Sequence, residues 1–304
     1  MAEGPKKAIR RSTFMEVPYL SDPHRNLMVD LTSTVETRLD SQLLPCTLPE
    51  NVRYFENQNG TSHATLYLRS GISSSPLEEI LTVEICSVLK DLRPLLTSEL
   101  EKIDFLSGIW IHSELPTGGE LNITSLAMYL NSSTDAPNFT MDLILSSPTS
   151  LILYLNLLPR KDLVLHPDYL NTFYQDTELE TQRQLLDKIP EVRPYFSPSL
   201  YVRSLLSPTA IMVRIEAEAA ERMEEIIREH VHPVAKEALR IWMDQCACVK
   251  REVSQTERDY LRKRDEVVKT NTIEADLASS LLRLFGPETA DRVQAAIRAV
   301  YFST

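Results

Sequence analysis

Glycine is scarce in this chain, with 7 in 304 residues. Loops that press their backbone against phosphates need several glycines at fixed spacing, and neither a dinucleotide fingerprint nor a Walker loop is present. Redox chemistry through a nicotinamide or flavin bound in the usual folds is therefore not expected. Cysteine is sparse too. The 4 cysteines, Cys46, Cys86, Cys246 and Cys248, are too few and too scattered for a disulfide framework. Cys246 and Cys248 lack the second half of a zinc site, and His230 and His232 flank a helix break with no metal constellation around them. All four thiols read as reduced, in an intracellular compartment. No apolar run is long enough for a membrane span, so the chain reads as soluble. Positive charge is in deficit: the formal net charge is −11, which disfavours nucleic acid as the main partner. Repeats and low-complexity tracts are missing as well.

What is present suffices for a large core, with 43% hydrophobic and 25% charged residues. Arg25 to Leu43 has helical spacing through Leu27, Met28, Leu31, Val35 and Leu39. His63 to Arg69 alternates as a strand. Four more strands follow in quick succession at Phe105–Leu115, Glu120–Leu130, Phe139–Leu145 and Ser150–Leu158. Their short connections make them antiparallel, because a parallel crossover needs a dozen or more residues. Helices are expected at about Pro167–Phe173 and Glu178–Lys188, then two further strands at Ser199–Leu206 and Ala210–Ala217. From Glu218 onward the pattern is helical, with Pro233 opening a new helix and Gly286 separating Ile273–Phe285 from Pro287–Phe302. Helices before, between and after antiparallel strands predict an α/β fold: an α/β/α sandwich with a central antiparallel sheet flanked by helices. Such a sheet leaves a natural pocket between one face and the C-terminal helices.

Two acids stand out. In Asn138–Leu145, Phe139, Met141, Leu143 and Leu145 alternate onto one face, so Asp142 points to the other, beside Thr140 and Ile144. On a sheet covered on both sides, a carboxyl placed there loses water and becomes a candidate proton donor. On an edge strand it would be an ordinary solvated acid, and the pattern alone leaves both readings open. Asp276 falls about 60° from Ile273 on a helical projection of ~100° per residue, at the margin of the apolar stripe of Leu277, Leu281 and Leu284. It either faces a pocket or complements the positive end of the helix dipole. Trp110 and His112 share a strand face and could stack on or hydrogen-bond a planar ligand, or pack as ordinary core and surface residues.

Several runs together carry a resemblance. Phe14-Met-Glu-Val-Pro-Tyr19, Gln42-Leu-Leu-Pro-Cys46, Leu115-Pro-Thr-Gly118, Leu121-Asn-Ile-Thr-Ser125 and Pro159-Arg-Lys-Asp-Leu-Val-Leu165 are similar to red chlorophyll catabolite reductases of plants. So are Ser199-Leu-Tyr-Val-Arg-Ser204, Ser207-Pro-Thr-Ala210 and Ile273-Glu-Ala-Asp276. They fall in order over residues 14–76 and 103–304, in a family that looks like a branch of the ferredoxin-dependent bilin reductases. The resemblance implies reduction of red chlorophyll catabolite, an open-chain tetrapyrrole, to a primary fluorescent catabolite. Single electrons would come from reduced ferredoxin, with no bound metal or flavin. It implies Asp142 and Asp276 as proton donors and Leu206 as a substrate contact, to which the strand positions of Trp110, His112 and Thr140 add further candidates. Leu206 would close the strand Leu200-Val202-Ser204-Leu206 and shape the pocket, or simply pack in the core. A homodimer, pheophorbide a oxygenase as a further partner, and a place in the chloroplast stroma are implied too. Lys6, Lys7, Arg10 and Arg11 make the first 13 residues a flexible basic segment too short for an ordinary transit peptide, followed by a single domain over 14–304.

The chain departs from the family pattern twice. The strand acid, usually Glu, is Asp142, one methylene shorter in reach. And where the family passes almost directly from a Ser-Ser-Pro run to Ile-Asp-Phe, here Ser74-Ser75-Pro76 and Ile103-Asp104-Phe105, this chain carries Leu77–Lys102, an expected helical insertion. An acidic electron donor needs a basic patch, for which Arg160-Lys161 and the stretch from Lys250 to Lys269 are candidates; that stretch also reads as a solvated face of mixed pairs. A non-catalytic protein that sequesters a phototoxic tetrapyrrole, or a related bilin reductase with another substrate, stays open beside the reductase reading.

Overall fold

The computed structural model describes residues 19–72, 102–116, 118–272 and 277–302. Strands β1 (Tyr54–Glu56), β2 (Ser62–Ser70), β3 (Ile103–Glu114), β4 (Glu120–Leu130), β5 (Asn138–Ser147), β6 (Ser150–Leu158), β7 (Val192–Pro194) and β8 (Ile211–Glu216) form one sheet. Its order is β1-β2-β3-β4-β5-β6-β8-β7, and every pairing is antiparallel. The helices are α1 (Asp22–Leu39), α2 (Glu50–Arg53), α3 (Pro167–Leu170), α4 (Leu179–Asp187), α5 (Leu200–Ser204), α6 (Ala220–Ile226), α7 (His232–Trp242), α8 (Gln255–Asn271), α9 (Ala278–Phe285) and α10 (Pro287–Tyr301).

Two apolar cores, one on each face, turn these elements into an α/β/α sandwich. On the first face Leu27, Leu31 and Val35 of α1, with Val234, Ala238 and Trp242 of α7, pack against Leu126, Met141, Leu143 and Leu153 of the sheet. On the second, Leu281, Phe285, Val293 and Ile297 of α9 and α10 pack against Leu66, Leu68, Phe105, Ile109 and Ile111. Full burial of each such side chain is worth about 1.5–3 kcal/mol, so the layers hold by area rather than by any single bond.

The alternating strands fall where their sequence places them, and the exceptions have physical reasons. The expected strand Ser199–Leu206 is instead the short helix α5, whose N-cap Ser199 accepts a hydrogen bond from the Val202 amide at 3.2 Å. Strands β1 and β7 have 3 residues each, too few for a period to register. Pro233 sits in the first turn of α7, where a missing N–H is tolerated, and a π-helical turn at Ile227–Val231 joins α6 to α7.

The ends of β2 and β3 are held together, with Ser70 opposite Phe105 and the Gly71 amide donating to the Asp104 carbonyl at 2.7 Å. A Cβ on residue 71 would lie 1.7 Å from the Ile103 carbonyl oxygen, so only glycine allows this approach. The sequence-predicted insertion joins these two antiparallel neighbours. Apart from Lys102 it lies outside the described residues, as does the basic segment at 1–13.

Candidate active site

Residues directly opposite in an antiparallel pair share a face, so the register fixes what surrounds Asp142. One row across the second face reads Ser125, Asp142, Tyr154 and Met212. The row on one side holds Ala127, Thr140 and Asn156; the row on the other holds Ile123, Ile144, Ile152 and Arg214. Over β2 to β4 this face is sealed by α9 and α10. From β5 outward the described residues cover it less: Thr140, Asp142, Ile144, Ile152, Tyr154 and Met212 are all half-buried. The result is a floor of mixed character that carries one carboxyl beside one phenol, with isoleucines on one side and Thr140 and Asn156 on the other. Asp142 is thus neither on an edge strand nor in open solvent.

Behind that row the face is aromatic, with Lys269 Nζ 5.2 Å from the centroid of the Phe105 ring. Phe105 stacks on Tyr129 with centroids 4.7 Å apart and on Tyr301 at 4.1 Å. Burial pushes the Tyr129 hydroxyl well above its ordinary range and that of Tyr301 up to about 12, so both stay protonated at neutral pH.

Asn156 is the residue that sequence reasoning missed. It is 1% exposed and makes three directed contacts. Its Nδ2 donates to Tyr154 Oη at 3.0 Å and to the Leu205 carbonyl at 3.0 Å, while its Oδ1 accepts from the Ser207 amide at 3.1 Å. Leu206 is therefore fixed from both sides in the loop after α5, half-buried near the floor rather than at the end of a strand. The available signal was an amide inside the apolar run Leu151–Leu158, where a buried polar group must find partners.

Asp276 lies outside the described residues. The flanking elements are well anchored. Arg160, fully buried, donates to Asp265 of α8 at 2.5 Å and to the Thr134 carbonyl at 2.6 Å, and Lys269 of α8 pairs with Asp104. Leu277, which precedes α9, packs against the second-face core. Arg160 is thereby removed as a docking residue, contrary to expectation. Lys161 is committed as well, 2.7 Å from Asp135 and 3.0 Å from Glu257.

Trp110 and His112 are brought together with each other but not with Asp142. They pair with Thr124 and Asn122, which face Leu143 and Leu145 on the first side of the sheet. There His112 Nδ1 bonds Asn122 Oδ1 at 2.8 Å, Tyr19 stacks on His112 at 4.0 Å, and Trp110 joins the first core. Of the substrate contacts expected from sequence, Thr140 and Leu206 share the Asp142 side.

The architecture is that of the bilin reductases. Phytochromobilin synthase from tomato, solved in complex with biliverdin, matches with a TM-score of 0.66 over 91% of this chain and 82% of that one, at 14% identity, a likeness of fold. By sequence the chain belongs to the red chlorophyll catabolite reductase (RCC reductase) family, whose profile matches residues 23–95 and 91–299. Red chlorophyll catabolite reductase, chloroplastic, of Arabidopsis thaliana is 49% identical over 96% of this chain and 84% of its own length. Red chlorophyll catabolite reductase 1, chloroplastic, of Oryza sativa subsp. japonica is 38% identical over 91% and 78%. The red chlorophyll catabolite reductase of Hordeum vulgare is 45% identical over 66% of this chain and 98% of its own length.

Proposed function

We propose that this protein is a chloroplast oxidoreductase of chlorophyll catabolism. It reduces red chlorophyll catabolite, an open-chain tetrapyrrole, to a primary fluorescent catabolite in the stroma. Electrons arrive singly from reduced ferredoxin, with no metal or flavin resident in the protein. The observation that carries the reading is the half-buried carboxyl of Asp142 on an inner strand, beside Tyr154 and Thr140 on one sheet face, in a chain of this family.

The chemistry follows from that placement. One electron added to a conjugated tetrapyrrole makes a radical anion, which is costly in a site poor in water. A proton given at that moment neutralises the charge and makes the second electron easier to accept. Asp142 gives one proton from the sheet side. Asp276 gives the other from the helix side, a role supported by the motif Ile273-Glu-Ala-Asp276 and by the packing of its neighbour Leu277 over the same face. Two electrons and two protons then balance the reduction. Thr140, Tyr154 and Leu206 line the pigment, and Asn156 holds two of them in place.

Anaerobic incubation with reduced ferredoxin and red chlorophyll catabolite tests the reading. Formation of the fluorescent product is expected. A spectral shift of bound pigment without product would make the protein a tetrapyrrole carrier, and a different product would make it another bilin reductase. Asp142→Asn and Asp276→Asn should each keep pigment binding and lose about 10²–10⁴-fold in kcat, the usual scale for a positioned proton donor.

A further inference from the structure

Of the basic residues that sequence reasoning offered for donor docking, Arg160, Lys161, Arg251, Arg258, Arg262, Arg264 and Lys269 are engaged with carboxylates or carbonyls. Lys250 and Lys263 are exposed, and the rest of the surface is open to an acidic partner as well. Most described arginines are neutralised at close range. Arg183 lies 2.6 Å from Glu180 and from Asp187, Arg240 lies 2.6 Å from Glu237 and 2.8 Å from Asp244, and Arg262 lies 3.1 Å from Asp259. The outer edge of the Asp142 face is different. Arg193 of β7 stands directly opposite Arg214 of β8, a like-charge cross-strand pair that is unfavourable unless an anion offsets it. Arg193 is exposed, and among the described residues its guanidinium bonds are to the carbonyls of Pro190 and Val192. Arg214 lies over the Tyr195 ring at 5.4 Å, and its nearest carboxylate, Glu216, is 3.7 Å away. Arg203 of α5 is exposed as well.

Two large apolar side chains accompany these charges. Phe196 is 75% exposed and Leu200 is 72% exposed, both in the segment that leads from β7 into α5. The C-terminal end of α5 is tied to the floor of the site through the Leu205 carbonyl and Asn156, and Arg193 and Arg214 share the Asp142 face by register, so the patch borders the same face. Arg214 sits two strands across and two residues along from Asp142, roughly 12 Å at the usual strand geometry. A positive, partly apolar rim on a protein of net charge −11 is a local inversion of sign. Complementary fields of this kind steer encounter and fix orientation.

We propose that the β7–α5 rim, through Arg193, Arg203 and Arg214 around Phe196 and Leu200, is the docking surface for a small acidic one-electron donor protein. This rests on the reductase reading and names the partner surface of that site. Each docking delivers one electron to the bound pigment, and two dockings with two protons complete one turnover.

The test is Arg193→Glu/Arg203→Glu in the full chain, assayed against plant-type ferredoxin over a range of ionic strength. The KM for ferredoxin should rise by roughly tenfold or more at low salt, and its salt dependence should flatten, because screening then has less attraction to remove. Pigment affinity, read from the absorption shift on titration without any donor, should stay within about twofold. An unchanged KM for ferredoxin overturns the docking surface. So does an equal loss of pigment affinity, which would assign these arginines to the carboxylates of the pigment instead. Lack of turnover by the unmodified protein with ferredoxin is a separate result and strikes the functional reading, not the position of the patch. Phe196→Ser supplies a second arm that leaves every charge in place and should raise the ferredoxin KM without altering the salt slope.

Discussion

Asn156 of β6 donates to the carbonyl of Leu205 at 3.0 Å, joining the floor of the site to the loop that carries Leu206. With the Ser207 amide bonded to the same side chain at 3.1 Å, the backbone around Leu206 has little freedom to move. Replacing Asn156 by Leu keeps the volume and removes these bonds, leaving buried backbone groups unpaired at about 1–3 kcal/mol each. The expected outcome is a lower melting temperature together with a pigment KM raised by roughly tenfold and a smaller change in kcat. Steady-state kinetics at saturating ferredoxin separate the two effects. Unchanged KM with lost kcat would place Asn156 in the chemistry and not in the positioning of the loop.

In the proposed reaction Asp142 acts with a side chain one methylene shorter than the Glu that the family resemblance implies at this position. Asp142→Glu should therefore turn over at least as fast as the unmodified protein, since proton transfer is sensitive to displacements of this size. Single-turnover fluorescence measures the chemical step directly. A fall in rate comparable to that of Asp142→Asn would mean that the surrounding face, with Thr140 and Tyr154 on either side, has adjusted to the shorter acid.

The sheet was readable because its strands alternate cleanly: in β5 the fully buried Phe139, Met141 and Leu143 interleave with the half-buried Thr140, Asp142 and Ile144. Parity between strands was not readable. Within one strand the sequence says which residues share a face, but only the pairing register says which face a neighbour's set joins, and a shift by one residue inverts it. That is why Trp110 and His112 could be grouped with each other and still fall on the far side from Asp142. α5 was misread for a different reason. Leu200, Val202, Ser204 and Leu206 alternate, yet none of the helix residues is buried, so the alternation reflects no packed face. The cap Ser199 carried the better signal. Arg160 was misread because a basic pair looks solvent-facing in sequence, whereas three backbone carbonyls and Asp265 satisfy its guanidinium inside the fold.

His24 gives the fold a dependence on pH that is independent of the site. It is fully buried on α1, its Nε2 bonded to Thr124 Oγ1 at 2.8 Å, and burial holds its pKa down to about 4. Between that value and the unfolded value of about 6.5, the unfolded chain binds a proton that the folded one does not. Stability from this group is full above about 6.5 and falls as pH drops through that window, by about 3 kcal/mol in all. Urea unfolding at pH 7 and pH 4.5 should reveal the loss, and His24→Gln should remove most of the difference. Parallel behaviour of the variant would assign the acid sensitivity to other groups.

The ion pair between Arg160 and Asp265 joins α8 to the loop before β5, and α8 ends at Asn271, five residues before Asp276 in sequence. Both side chains are buried, with Arg160 wholly enclosed and bonded to carbonyls from the Asn131–Ala136 loop. Asp265→Ala leaves a charged guanidinium inside the fold without its counter-ion, and truncations of this kind cost about 3–5 kcal/mol. Removing both charges together, as Arg160→Met/Asp265→Leu, should cost less than Asp265→Ala alone, since no unpaired charge then remains. Chemical denaturation orders the variants. If the double variant is instead the less stable, the carbonyls of Asn131 and Thr134, deprived of their donor, matter more than the charge, and the guanidinium serves chiefly to satisfy that loop.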